Sequence, residues 1–132
     1  MIEINNLTHE RIDKKLLGDI ANKVLKGENK KLDISIAIIG EKEIKGLNKK
    51  YRRINKPTDV LSFFYPPAGE AGGESGEIVI CLKQVKINKE KLVQALIHGI
   101  LHLSGYDHEK SVAAAKIMAK KENHYLSVLN IK

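Results

Sequence analysis

Apolar residues recur at every fourth position from Ile12 through Leu16, Ile20 and Val24, the spacing that lays a single stripe along a helix. Thr8 stands ahead of this run as an N-cap and Gly27 behind it as a stop, so the pattern predicts a helix over 8–27. A short strand, IEIN (2–5), precedes it. LDISIAII (32–39) alternates apolar with small or polar residues in its first half, as a strand with one face on a core does. EKEIKGLNKKY (41–51) reads as a short helix, and Pro57 ends any helical run there. DVLSFF (59–64) and EIVICL (77–82) read as a third and a fourth strand. The stretch YPPAGEAGGESG between them holds two prolines and four glycines, which makes it a loop. It is no domain boundary, because neither side could fold alone.

Two helices follow. Asn88 caps a run through Ser104, and a second run spans 109–129, with Val112, Ala115, Met118, Ala119 and Leu126 as candidates for burial. The order βαβα, then ββ, then αα predicts an α+β fold in which a small mixed four-stranded sheet packs against four to five helices. The pattern does not specify strand order. At 132 residues the chain reads as one domain, residues 1–132, long enough to bury a core without disulfides or a structural metal. A metal in such a chain points to function.

Charge and cysteine content narrow the setting. The lone Cys81 cannot form an internal disulfide, and no Cys-x-x-Cys pair suggests a zinc ribbon. No apolar run approaches membrane-spanning length, and MIEINNLTHERIDKK mixes acidic and basic residues unlike a signal peptide, so the expected location is the cytoplasm with no membrane partner. The formal charge of +7 favours a polyanionic partner. All but three of the 23 basic residues are lysines, however, and a lysine-rich surface also serves solubility and heat adaptation. The adjacent pair Arg52-Arg53 is more specific. It closes the segment Lys49-Lys50-Tyr51-Arg52-Arg53, which reads either as a solvated helix end, where cations meet the negative dipole, or as a phosphate-binding edge with a tyrosine for stacking.

The strongest chemical signal is HGILHLSGYDH (98–108), which holds three of the five histidines. His98 and His102 lie four apart, so a helix projects both rings from one face. Gly105 permits a reversal that can bring His108 back to them. The isolated His9 and His124 read as ordinary structural residues. Three imidazoles suit zinc, with a fourth position left open for chemistry, although copper and nickel also accept them. Asp107 and Glu109 flank His108 and read as surface carboxylates or as orienting partners for the rings. The spacing H-x-x-x-H-x-x-G-x-x-H is that of the metzincin proteases with one break. Gly99 stands where those enzymes place a glutamate general base, so the spacing is protease-like and the chemistry is not.

The same eleven residues resemble the signature of the YbeY family of bacterial endoribonucleases, H-G-x-L-H-L-x-G-Y-D-H. LNKKYRRINKPTDVLSFF resembles that family's L-N-x-x-Y-R-x-x-D-x-P-T-D-V-L-S-F block, and GEIVI its G-D-I-x-I strand. Asn55 and Glu77 depart from the family's usual aspartates, and Phe64 takes a place often held by proline. The resemblance implies one Zn2+ held by His98, His102 and His108, with Arg52 in the catalytic groove. It further implies single-stranded ribosomal RNA as substrate, processing at the 16S rRNA 3′ end, a part in ribosome quality control, and small-subunit components as partners. Two competing functions remain open from the residues alone: a zinc peptidase or amidohydrolase, disfavoured by Gly99, and a non-enzymatic ribosome-maturation factor in which zinc only steadies the helix end.

Overall fold

The computed structural model describes residues 1–67, 73–85 and 88–129. Strands β1 (Ile2–Asn6), β2 (Asp33–Ile39), β3 (Val60–Tyr65) and β4 (Ser75–Cys81) form one sheet in the order β1-β2-β4-β3. β1 is parallel to β2 and β2 to β4, whereas β3 is antiparallel to β4 and forms an edge. Four helices complete the described chain: α1 (Lys14–Gly27), α2 (Glu41–Arg52), α3 (Lys89–Leu103) and α4 (Val112–Val128). The expected mixed α+β architecture is the one observed. The middle of the glycine-rich loop, 68–72, lies outside the described residues.

Register explains how the sheet faces divide. Ile36 pairs with Ile78 and Ile38 with Ile80, which lays a fully buried isoleucine row beneath α1 and α3. Residues one position away point to the other face, where Ile39, Leu61, Val79 and Cys81 meet Ile44 of α2. The alternation of β2 lapses at Ile38-Ile39 because both faces are covered there.

α3 is the central helix. Nine of its fifteen residues are buried, among them Ile97, Ile100 and Leu101, and it packs on α1, α4, β3 and β4. Burial of that order, at about 1.5–3 kcal/mol for each fully buried Leu or Ile, makes it a rigid mount. Only one strip of its surface is left for chemistry.

Two helix starts differ from the sequence pattern. α1 begins at Lys14, capped by Asp13, whose Oδ1 accepts from the Leu16 N–H at 3.0 Å. Thr8 instead closes a turn after β1, its hydroxyl donating to Asn6 Oδ1 at 2.6 Å, while Ile12 reaches the core from outside the helix. α4 begins at Val112, capped by Ser111. Of its expected core residues Met118 is buried, Ala115 and Leu126 are half-buried, and Val112 and Ala119 are exposed. Tyr125 supplies the second buried position, so the helix rests on the core along a narrow i, i+7 stripe.

Candidate metal centre and groove

With Ile97, Ile100 and Leu101 turned into the core, His98 and His102 occupy the strip of α3 that faces outward. The helix ends at Leu103. Gly105 takes a φ of +110°, its N–H bonding the His102 carbonyl and the Tyr106 N–H reaching back to the Leu101 carbonyl, both at 3.1 Å. This closure turns the chain so that His108 returns to the helix. The ring centroids of His108 lie 4.8 Å from His98 and 5.0 Å from His102, and those of His98 and His102 are 5.0 Å apart. One nitrogen from each ring falls within 4.8 Å of the others.

The donor set fits a metal ion. His98 Nδ1 donates to Glu122 Oε1 of α4 at 2.5 Å. A carboxylate only accepts, so the proton sits on Nδ1 and the Nε2 lone pair is free to ligate. His102 Nε2 and His108 Nδ1 lie 2.9 Å apart. Burial, and after it the neighbouring charges of His98 and His108, hold the His102 pKa below its ordinary 6.5, against the opposing pull of Asp107 and Glu109. A neutral imidazole is the form a metal needs. The side chain of His108 is more open than that of His98, 39 % exposed against 27 %.

These rings floor a groove of about 450 Å³. One wall is the C-terminal end of α2, with Tyr51 and Arg52, and the other is the segment from Thr58 to Phe63, which leads into β3. Tyr51 meets Phe63 edge to face at 5.0 Å and is itself 55 % exposed, with Lys50 Nζ 5.2 Å from its ring centroid. Arg52 Nη2 donates to Glu109 Oε1 at 2.7 Å. Both partners are well exposed, a setting in which an ion pair contributes about 0–1 kcal/mol, so a phosphate can compete for the guanidinium. Four further N–H donors of Arg52 are free of Glu109 in this geometry. The structure therefore brings Arg52 to the same groove as the three histidines, 46 residues before the first of them.

Gly99 faces the sheet. A Cβ there would lie 3.0 Å from Ile78 Cγ2, and the Gly99 carbonyl accepts from Ser62 Oγ at 3.4 Å. A glutamate at this position would push into β4 and could not reach the groove floor without displacing the helix. Asp107 braces the turn by accepting from the Glu109 N–H at 3.0 Å. Glu109 chiefly serves Arg52, with its Oε1 3.9 Å from His108 Nε2. His9 and His124 are exposed and stand apart from the cluster. The departures Asn55, Phe64 and Glu77 do not line the groove.

Glu122 is the site residue that sequence reasoning missed. It sits in LysLysGlu on a helix of mixed charge, and its role comes from α4 packing across α3. Nothing in its local pattern marks it.

A small mixed-sheet domain that gathers three imidazoles at the floor of an open groove, with a guanidinium on the wall, defines a class of α+β protein able to present a metal ion to a polar substrate. The family model described as Endoribonuclease YbeY matches residues 3–130. Relatives described as endoribonuclease YbeY include one from Thermodesulfovibrio yellowstonii, 40% identical over 96% of this chain and 82% of the relative. Another, from a Sulfurihydrogenibium species, is 39% identical over 83% of this chain and 78% of the relative. The solution structure of a Thermotoga maritima protein aligns with a TM-score of 0.59 at 31% identity, covering 96% of this chain and 87% of that one. The chain belongs to the YbeY endoribonuclease family.

Proposed function

We propose that this protein is a zinc-dependent, single-strand-specific endoribonuclease that acts in the cytoplasm, as one domain, in ribosomal RNA maturation at the 16S 3′ end and in ribosome quality control. The observation that carries the reading is the meeting of His98, His102 and His108 with Arg52 in one open groove, in a chain whose relatives are described as endoribonucleases.

His98, His102 and His108 are the residues that would hold zinc, which supplies Lewis acidity toward phosphoryl oxygens. Glu122 keeps the His98 ring turned with Nε2 outward. Arg52 exchanges part of its exposed pair with Glu109 for a phosphate oxygen, so its planar fork lies where negative charge grows during cleavage. Tyr51 offers a face for an unpaired base, braced from behind by Phe63. The groove is open to solvent along its length, which suits an extended single strand lifted from a duplex.

Gly99, packed on Ile78, argues against a peptidase. A maturation factor without activity would need the same zinc and the same basic surface, so cleavage is the deciding measurement. Purified protein reconstituted with zinc should cut single-stranded RNA and leave duplex RNA and peptides intact. Full metal content with no cleavage of any single-stranded RNA would refute the enzyme reading.

A further inference from the structure

An enzyme that cuts within a strand must hold nucleotides on both sides of the scissile phosphate, and the Tyr51–Arg52 wall accounts for one side only. A second cavity, about 540 Å³, begins on the other side of the same histidines and shares His98, His108 and Asp59 with the first. Its floor is the outward strip of α3 followed toward the helix N-terminus, where Lys91 and Gln94 stand in line with His98 at i, i+3 and i+7. His98 lies seven helical steps beyond Lys91, a rise of about 10 Å.

The charges along this strip are ordered. Near the histidines stand two carboxylates, Asp59 and the Glu122 already engaged by His98, so a cation for a phosphate beyond the metal has to come from farther along the strip. Lys91 is the cation among the described residues that line this cavity, and Gln94 beside it is exposed with an amide that both donates and accepts. Gln84, which also lines the cavity, has its amide nitrogen donating to Glu41 Oε2 at 2.5 Å.

We infer that the substrate strand crosses the histidine centre and continues along α3, with Lys91 holding a phosphate beyond the cut and Gln94 bonding the adjoining ribose or base edge. This rests on the endoribonuclease reading and extends it to a second subsite, opposite the Arg52 wall. The two sides divide their work: an aromatic and guanidinium wall at one, an amide and ammonium strip at the other.

Zinc-loaded Lys91→Ala tests the inference against a single-stranded RNA dodecamer, with binding followed on its 2′-O-methyl analogue. Lys91 is exposed, and its capping bond is made by the backbone N–H to Asn88 Oδ1, so the fold survives truncation. Binding should weaken about three- to tenfold, KM for cleavage should rise in step, and the slope of log affinity on log salt should fall by about 0.7, the share of one phosphate contact to a single strand. Lys91→Glu should lose more. Lys23→Ala, which removes an exposed charge from α1 away from the cavity, should bind as wild type. Equal affinity and salt slope for Lys91→Ala and wild type, or an equal loss for Lys23→Ala, would overturn the second subsite while leaving the enzyme reading intact. Wild-type protein that neither binds nor cuts single-stranded RNA would overturn the enzyme reading, and this inference with it.

Discussion

His98 of α3 donates from Nδ1 to Glu122 of α4 at 2.5 Å, a link between two helices that fixes which ring nitrogen faces the groove. Orienting carboxylates of this kind contribute about 10–100-fold to metal affinity. Glu122→Ala should therefore weaken zinc binding by that factor while the helix content holds, measured by competition with a chromophoric chelator. Glu122→Gln retains an acceptor and should lose less. Unchanged zinc affinity in Glu122→Ala would show that His98 needs no partner to ligate.

Metal binding and phosphate chemistry should separate by mutation. Arg52→Ala leaves all three imidazoles in place, so zinc content should stay near one ion per chain while RNA cleavage falls by about two to three orders of magnitude, the scale for losing one donor aimed at developing charge. Arg52→Lys should recover only part, because an ammonium cannot reproduce the fork. His108→Ala should lose both metal and cleavage. Elemental analysis beside a gel-based cleavage assay reads the pattern, and wild-type cleavage by zinc-loaded Arg52→Ala would return the arginine to the role of a solvated helix-end cation.

Gly99→Glu restores the protease spacing on paper. In the structure the new Cβ would start 3.0 Å from Ile78 Cγ2, an overpacking that costs about 1–3 kcal/mol. The variant should melt several degrees lower and hydrolyse no peptide. Strong peptidase activity would mean that the helix can turn this position toward the groove.

The legible parts of this protein are those whose cause is local. His98, His102, Gly105 and His108 fall within eleven residues, so helix spacing and one left-handed turn suffice to predict their meeting, and the rings do meet. The four strands follow from short stretches rich in β-branched and aromatic residues, alternating with polar ones where one face is open. The α1 start is not legible in the sequence because Asp13 and Thr8 are both competent caps, and the turn that Thr8 forms with Asn6 decides between them. Strand order, Glu122 and the Arg52–Glu109 pair depend on contacts between distant segments, and periodicity contains no information on them. Arg52 could be placed beside the histidines in advance only through the family resemblance.

A final prediction concerns Glu28, just past the end of α1. Its carboxylate, 6 % exposed, accepts from the Tyr106 hydroxyl at 2.7 Å, from the Tyr125 hydroxyl, and from Lys121 Nζ at 3.4 Å. The cluster ties α1 to the turn carrying His108 and to the helix carrying Glu122. Burial pushes the Glu28 carboxyl up, but the two tyrosine hydrogen bonds and the Lys121 charge outweigh it, and its pKa lies below the ordinary 4.5. The folded state thus binds this proton less tightly than the unfolded chain does. The stabilisation is present above about pH 4.5 and is lost as pH falls through the lowered folded value. Tyr125 titrates in the opposite sense: burial and the Glu28 hydrogen bond raise its pKa above the ordinary 10.0, so its contribution is intact below about pH 10 and is lost as pH rises beyond it. Glu28→Ala, which leaves the buried Tyr125 hydroxyl and the half-buried Tyr106 hydroxyl without their acceptor, should cost about 1–3 kcal/mol at pH 7, read by urea unfolding. The gap between wild type and variant should narrow on acidification below pH 4.5. A gap that stays constant from neutral to acid pH would show that the stability comes from packing of the tyrosine rings and not from the charge on Glu28.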